Sequence, residues 1–284
     1  MRLMSAETAT KVRAMAEQRC KLCGSRARFR FEVPLCRGLQ GWYFECEACG
    51  LLQTCHLDRL TESELRDLYR PERSSDPDPA AAWRQYCVAA RLIELSRLGL
   101  LPRGPEFKAL DFGCGAGFVV GFLTWKLGWS MVGFDPYSSF SFAADRCFSD
   151  WDPIRRRGPF HLVVASEVWE HFRRPSEEFD RIGAVLDPDS ACLFVTTEAY
   201  RSGRHDAAWP YLAPQSGQHV AFYSAATLRY LANRLGMQRV ETVGTGIEWL
   251  LARESRGRWR RLRRSSALAA LRCGVAAGLL PKIC

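Results

Sequence analysis

Apolar and polar positions follow two different rhythms along this chain. Near the amino end, Ala27 to Val33 and Gly41 to Glu45 alternate at every second residue, the period of short, half-exposed strands. Residues 60–70 read as a short charged helix, and Arg73 to Pro79 is a Ser/Asp/Pro linker. From Ala80 to Leu98 the period becomes helical. Beyond it a buried strand ends at Asp111, a helix runs from Phe118 to Leu127, and a second strand from Ser130 to Phe134. Further strands are expected at Phe160 to Ser166 and Ala191 to Thr197, with helices at Glu177 to Leu186 and Ser224 to Leu235. Gln238 to Gly244 and Ile247 to Ala252 read as a closing antiparallel pair. Strands alternating with helices predict an α/β fold, a mainly parallel sheet with helices on both faces.

Two cysteine knuckles punctuate the first rhythm. Cys20-Lys-Leu-Cys23-Gly and Cys46-Glu-Ala-Cys49-Gly are separated by 22 residues. Each turn aims two thiolates at one point, and two turns complete a tetrahedral zinc site, so the segment reads as a zinc ribbon. Cys36 and Cys55 lie nearby, but neither sits in a knuckle. A closed four-thiolate site leaves no open position for chemistry, which assigns it to stability or docking.

The bend after Asp111 carries the second feature. Gly113, Gly115 and Gly117 open the helix at Phe118, and Asp135 stands at the tip of the following strand, with Pro136 after it. Glycines there let a ligand approach the backbone, and the acid suits a ribose, so the pocket reads as one for an adenosine-containing cofactor. The spacing is G-x-G-x-G rather than the dinucleotide G-x-G-x-x-G, and Asp111 precedes it. A fixed carboxylate repels a pyrophosphate and suits an ammonium group, as S-adenosylmethionine carries. The acid-x-G-x-G-x-G form resembles motif I of the class I S-adenosylmethionine-dependent methyltransferases. Asp150, followed by Trp151, is the expected adenine contact, and Tyr69 and Trp83 are candidates to close over the cofactor.

A third feature follows the strand at Phe160 to Ser166, in the run Glu167-Val-Trp-Glu170-His171. If the chain turns helical at Glu167, then Glu167, Glu170 and His171 share one face. Two carboxylates and an imidazole meeting at one point suit a cation. The segment is similar to one in the ubiquinone-biosynthesis O-methyltransferases and the small-RNA 3′-terminal 2′-O-methyltransferases, where the resemblance implies a divalent ion. The RNA enzymes add a downstream histidine, and here Gln218-His219-Val-Ala-Phe222-Tyr223-Ser224 makes His219 the matching fourth ligand, with Ser224 as helix cap. Three readings stay open: a site for Mg²⁺ or another divalent ion, a metal-free catalytic role for His171 or His219, and plain loop structure. Glu167 has a second expected role, facing the methionine part of the cofactor.

The whole looks like a bacterial methyltransferase-domain protein with an N-terminal zinc ribbon. That resemblance implies a Rossmann-like, seven-stranded, mostly parallel sheet. It also implies O-methylation of a hydroxyl, expected on a sugar of a glycan or small biosynthetic intermediate. Trp209, Tyr211 and His205 lie where acceptor-binding segments enter such folds. An RNA 2′-O-methyltransferase and a non-catalytic cofactor-binding adaptor are the alternatives.

Composition changes the picture in one place. The chain of 284 residues carries a net charge of +9, yet residues 253–284 hold eight Arg, one Lys and one Glu, so nearly all of the excess is in this tail. The tail suits an anionic lipid surface better than RNA, because the neutral body offers no continuing basic groove. Met1 to Gln18 has no apolar core, so no secretory signal is expected, and 12 cysteines without one point to metal ligands or free thiols. The expected location is cytoplasmic, with peripheral contact at the inner membrane face. The expected division is an extension at 1–19, the ribbon at 20–56, and a linker with cofactor-capping helices at 57–105. The methyltransferase core then takes 106–252 and the basic tail 253–284.

Overall fold

The computed structural model describes residues 18–69, 79–243 and 246–253. Expectations for the amino-terminal extension, most of the linker and the basic tail beyond Arg253 lie outside them. The chain divides into two compact units. One takes the described residues up to Thr61, with Trp169–Glu178 and Glu198–Tyr230; the other takes Glu62–Val168, Phe179–Thr197 and the described residues from Leu231 onward.

The first unit is built on a five-stranded antiparallel sheet. Its strands are β1 (Gln18–Arg19), β2 (Arg26–Pro34), β3 (Gln40–Cys46), β4 (Leu52–Thr54) and β10 (Ala221–Phe222), in that spatial order. The alternation at 27–33 and 41–45 corresponds to the β2–β3 hairpin, whose register shifts between Phe29 and Phe31. Strand β10 pairs Ala221 with Gln53 and Phe222 with Leu52. Val33, Leu35, Tyr43 and Leu52 from the ribbon thereby share one core with Tyr200, Trp209, Leu212 and Phe222.

The second unit is a seven-stranded sheet. It contains β5 (Lys108–Phe112), β6 (Ser130–Phe134), β7 (Cys147–Phe148), β8 (Leu162–Ser166), β9 (Cys192–Thr196), β11 (Arg239–Val243) and β12 (Glu248–Ala252). The order is β11-β12-β9-β8-β5-β6-β7, and β12 alone runs against its neighbours. This is the expected Rossmann-like α/β arrangement with the closing antiparallel pair. Its helices include α1 (Glu62–Tyr69), α2 (Pro79–Arg97), α3 (Phe118–Leu127) and α4 (Trp151–Arg157). Later in the chain come α5 (Pro175–Ala184) and α6 (Ala225–Arg234), each with residues in both units. Ser224 caps α6 as expected: its Oγ accepts the Thr227 amide at 3.1 Å, and Thr227 Oγ1 accepts the Ser224 amide at 3.1 Å.

One expected element does not form. No helix starts at Glu167, which sits at φ 53° in the left-handed region, and only a short 3₁₀ turn at Trp169–His171 follows. A left-handed residue cannot begin a right-handed turn, so the helical face joining Glu167 to Glu170 and His171 is absent. Among the described residues no helix is long and apolar enough to cross a membrane.

A buried ion pair fastens α2 to strand β12 of the sheet. Arg91 Nε lies 2.9 Å from Glu248 Oε1 on β12, with the two side chains 1% and 0% exposed. At that depth, removing one charge costs more than the pair contributes. Glu248→Gln is expected to lower stability by about 3–5 kcal/mol, whereas the apolar double replacement Arg91→Met with Glu248→Leu recovers most of the loss. Urea unfolding midpoints check both, and a Glu248→Gln variant as stable as the parent would show the pair to be solvated.

Candidate functional site

The sheet order reverses at β5, which lies between β6 and β8; ligands in open α/β sheets bind beyond the carboxyl ends of strands at such a point. There the chain carries Asp111, buried at 4% exposure. Burial, with the Asp135 charge adding, pushes its carboxyl up to about 7. Gly113, Gly115 and Gly117 follow, all at positive φ. A Cβ on Gly113 would stand 2.4 Å from Val168 Cγ2, and one on Gly117 2.3 Å from the Phe142 carbonyl oxygen. Those two glycines are required by the protein's own packing. At Gly115 the nearest atom is Gln85 Nε2 at 3.4 Å, so that position is where the backbone is open to a ligand.

Asp135 closes this turn. Its Oδ2 accepts the Gly115 amide at 3.0 Å, and its Oδ1 accepts the amides of Tyr137 and Ser138 at 2.9 and 3.0 Å across Pro136. A carboxylate offers about four acceptor positions. Three are taken by the backbone, which leaves one on Oδ2 for a hydroxyl. Tyr137 in turn stacks on Tyr69, ring centroids 4.9 Å apart, so α1 reaches the Asp135 turn. Trp83 stacks on Tyr86 on α2 and stays half exposed. Asp150 is exposed ahead of α4, while Trp151 packs edge-on against Phe112 and Phe134. Glu167 Oε1 accepts the hydroxyl of Thr196 at 2.9 Å, across the paired ends of β8 and β9.

In the first unit the two knuckles repeat one hydrogen-bond pattern. The amides of Gly24 and Gly50 bond the carbonyls of Cys20 and Cys46, and the amides of Cys20 and Cys46 bond the carbonyls of Ser25 and Leu51. The sulfurs of Cys20, Cys23, Cys46 and Cys49 all lie within 4.8 Å of one another, with Cys20 to Cys49 at 3.6 Å and Cys23 to Cys46 at 3.4 Å. A tetrahedral zinc with bonds of about 2.3 Å sets sulfurs about 3.8 Å apart, so these residues fit such an ion. The hydrogen bond from Cys49 pulls the Cys20 thiol down to about 5, while Cys49 is pushed up by that same bond and Cys46 by burial. Without a cation the cluster readily gives up one proton; four thiolates need a dication.

The same unit gathers Glu170, His171 and His219, whose ligand atoms also lie within 4.8 Å of one another. Glu170 is buried, and the two imidazoles meet edge to face with centroids 4.8 Å apart. His171 Nδ1 is 3.2 Å from the Gln218 carbonyl oxygen, and His219 Nδ1 is 2.6 Å from that of Tyr211. Carbonyl oxygens only accept, so each Nδ1 carries the hydrogen and each Nε2 presents a lone pair. Burial, reinforced by His219, holds His171 down at about 3, so it is neutral near pH 7. Such a pair of Nε2 atoms beside a carboxylate can take a proton or hold a divalent ion.

Sequence reasoning missed two residues that shape these sites, Val168 and Thr196, and gave a third, Tyr211, a different role. Val168 fills the space beside Gly113, Thr196 holds Glu167, and Tyr211 donates its hydroxyl to Glu170 Oε1 at 2.8 Å. The expected acceptor aromatics are otherwise packed among themselves: His205 stacks on Trp209 at 4.2 Å, and the Trp209 indole N–H bonds Glu198.

The family model described as "Methyltransferase domain" matches residues 80–242. No curated protein matches the chain. Among solved structures, the plantazolicin methyltransferase BpumL with S-adenosylhomocysteine is similar at 12% identity and TM-score 0.46, over 68% of this chain and 97% of that one. A chain of the complex built on the Haloferax volcanii Trm112 methyltransferase activator is similar at 15% identity and TM-score 0.45, over 61% and 94%. Human N-acetylserotonin methyltransferase with S-adenosylmethionine is similar at 18% identity and TM-score 0.43, over 59% and 52%.

The buried Asp111 makes the free protein pH-sensitive. Its carboxyl binds a proton more tightly folded than unfolded, so its contribution to stability falls as pH rises from the ordinary value of 3.8 through about 7. Asp111→Asn should remove that slope and melt higher than the parent at pH 8, by on the order of 2–4 kcal/mol of unfolding free energy. Thermal melts between pH 5 and 8 check this, and parallel slopes in the two proteins would refute it.

Proposed function

The chain belongs to the methyltransferase-domain family, and from that premise we propose that this S-adenosylmethionine-dependent enzyme methylates a hydroxyl, on a sugar of a glycan or small biosynthetic intermediate. The observation that carries the oxygen reading is the Glu170–His171–His219 cluster, with both Nδ1 atoms against main-chain carbonyls. A hydroxyl must lose a proton to become a strong nucleophile, whereas a neutral amine need not. An imidazole Nε2 is the atom that accepts it, and Glu170 supports the resulting positive charge.

Asp111 suits the cofactor because it is a buried carboxylate with no hydrogen bond among the described residues to offset its burial. It would pair with the ammonium, and the remaining acceptor position on Asp135 would take a ribose hydroxyl. Gly113, Gly115, Gly117, Pro136, Asp150 and Glu167 complete the proposed surroundings. Bound there, the cofactor supplies a methyl group on a positively charged sulfur.

Cys20, Cys23, Cys46 and Cys49 would hold a structural zinc. Glu170, His171 and His219 fit a second divalent ion, and two imidazoles with one carboxylate suit zinc, manganese or iron better than Mg²⁺, which prefers oxygen ligands. Such an ion would lower the pKa of a bound hydroxyl. The basic segment 253–284 suits an anionic lipid surface beside the acceptor.

Transfer from methyl-labelled cofactor into fractionated extract is expected to place base-stable label in the sugar or glycan fraction. Label in RNA would replace the sugar reading with a ribose 2′-hydroxyl, and label on amines would overturn oxygen transfer altogether. His219→Gln and His171→Gln should each cut transfer about 10²–10⁴-fold with donor affinity unchanged. Elemental analysis should find about one tightly held zinc per chain, lost in the double variant Cys20→Ser, Cys49→Ser. Full zinc retention by that variant would refute the ribbon assignment.

A further inference from the structure

Two histidines and a glutamate are a usable cluster only if their orientations are fixed before anything binds, and one residue touches two of the three. Tyr211 donates its hydroxyl to Glu170 Oε1 at 2.8 Å. Its main-chain carbonyl oxygen lies 2.6 Å from His219 Nδ1. Its ring also packs on the His219 ring, centroids 4.9 Å apart. Side chain and backbone of a single residue therefore set the tautomer and plane of one ligand and the rotamer of another.

The loop carrying Tyr211 is itself tied down. The 3₁₀ turn Pro210–Leu212 ends in Ala213 at φ 46°, and the turn beyond it is bonded to the ribbon. The Cys36 amide donates to the Pro214 carbonyl at 2.9 Å and its thiol to the Ser216 carbonyl at 3.4 Å, while His56 Nε2 donates to the Gly217 carbonyl at 2.7 Å. Trp209 and Leu212, flanking Tyr211, are buried in the same core as Tyr43 and Leu52. A residue placed only to stack on an acceptor would keep its polar edge toward that acceptor. The hydroxyl of Tyr211 instead points at a fully buried carboxylate.

We propose that Tyr211 is the positioning residue of the Glu170–His171–His219 cluster, holding Glu170 and His219 at the mutual angle the cluster needs to take a proton or a divalent ion. This rests on the cluster being functional, as argued above. Outer partners of this kind are typically worth about 10–100-fold in metal affinity or activity.

The test uses the full chain with its ribbon zinc in place and Co²⁺ as probe, read by visible absorption and calorimetry. Tyr211→Phe keeps the ring and the carbonyl and removes only the hydroxyl. It should weaken Co²⁺ binding about 10–100-fold, with S-adenosylmethionine affinity and melting temperature unchanged. His205→Gln, in the same loop but touching neither Glu170 nor His219, should bind Co²⁺ as the parent does. Equal binding by Tyr211→Phe and parent overturns the proposal. If the parent itself binds no second ion, the metal reading of the cluster falls, and positioning is read from the His171 and His219 ring resonances in ¹⁵N spectra. Those must move in Tyr211→Phe and not in His205→Gln; resonances that stay put overturn positioning as well.

Discussion

Three distant stretches of the first unit meet at Val220. Its N–H donates to the Glu170 carbonyl at 2.7 Å, and its C=O accepts the Thr54 N–H at 3.0 Å. Through the two peptide groups that meet at its Cα, this one residue therefore joins the end of the ribbon, the turn carrying Glu170 and His171, and the segment carrying His219. Strand β10 begins at the next residue, and Tyr223 beyond it donates its hydroxyl to the Trp169 carbonyl at 2.9 Å. If Val220 shifts, the segments carrying the two histidines shift with it. The geometry of the cluster thus depends on the ribbon's sheet, and a module far upstream in sequence becomes part of the scaffold of the chemistry.

The second unit handles buried charge in two opposite ways. Arg91 and Glu248 neutralise each other at 2.9 Å inside the packed face between α2 and the sheet. Asp111 is nearly as deep, yet the charge that acts on it is a like one, Asp135, and no hydrogen bond among the described residues relieves it. The first arrangement offsets its own burial. The second stores an unfavourable burial that a cation removes, which is how a site is recognised from physics alone. On the proposed reading, the burial that costs stability in the free protein becomes a source of affinity for an ammonium.

How much of this was legible in the sequence depended on the range of the interactions. The helix at Phe118–Leu127 and the strand at Ser130–Phe134 were readable because local period and flanking glycines fix them. The knuckles were readable because C-x-x-C-G is itself a local hydrogen-bonded turn. Strands β4 and β10 were not, since Leu52–Thr54 and Ala221–Phe222 are strands only because they pair with each other and with β3. The face expected to join Glu167 with Glu170 and His171 failed for a related reason. Thr196, on the neighbouring strand, captures Glu167 in a left-handed conformation, and no pattern within residues 167–171 announces a partner on β9. Tyr211 looked like an exposed stacking ring because its true partner, Glu170, is 41 residues away.

A four-thiolate node does no chemistry, yet it bears on reactivity through this geometry. Cys49, in the second knuckle, accepts the Thr227 hydroxyl at its carbonyl oxygen, and Thr227 also closes the Ser224 cap of α6 just after β10. An ion that orders the knuckles would therefore also order the strand beside Val220, and through it the residue bonded to both Glu170 and Thr54. Ribbon and cluster are best regarded as one cooperative piece, in which a metal held by the thiolates would set the frame for the imidazoles. On that argument, loss of the ribbon ion should disorder His219 before it disturbs Asp111, because His219 shares hydrogen bonds and core with the knuckles while Asp111 lies in a separately packed sheet.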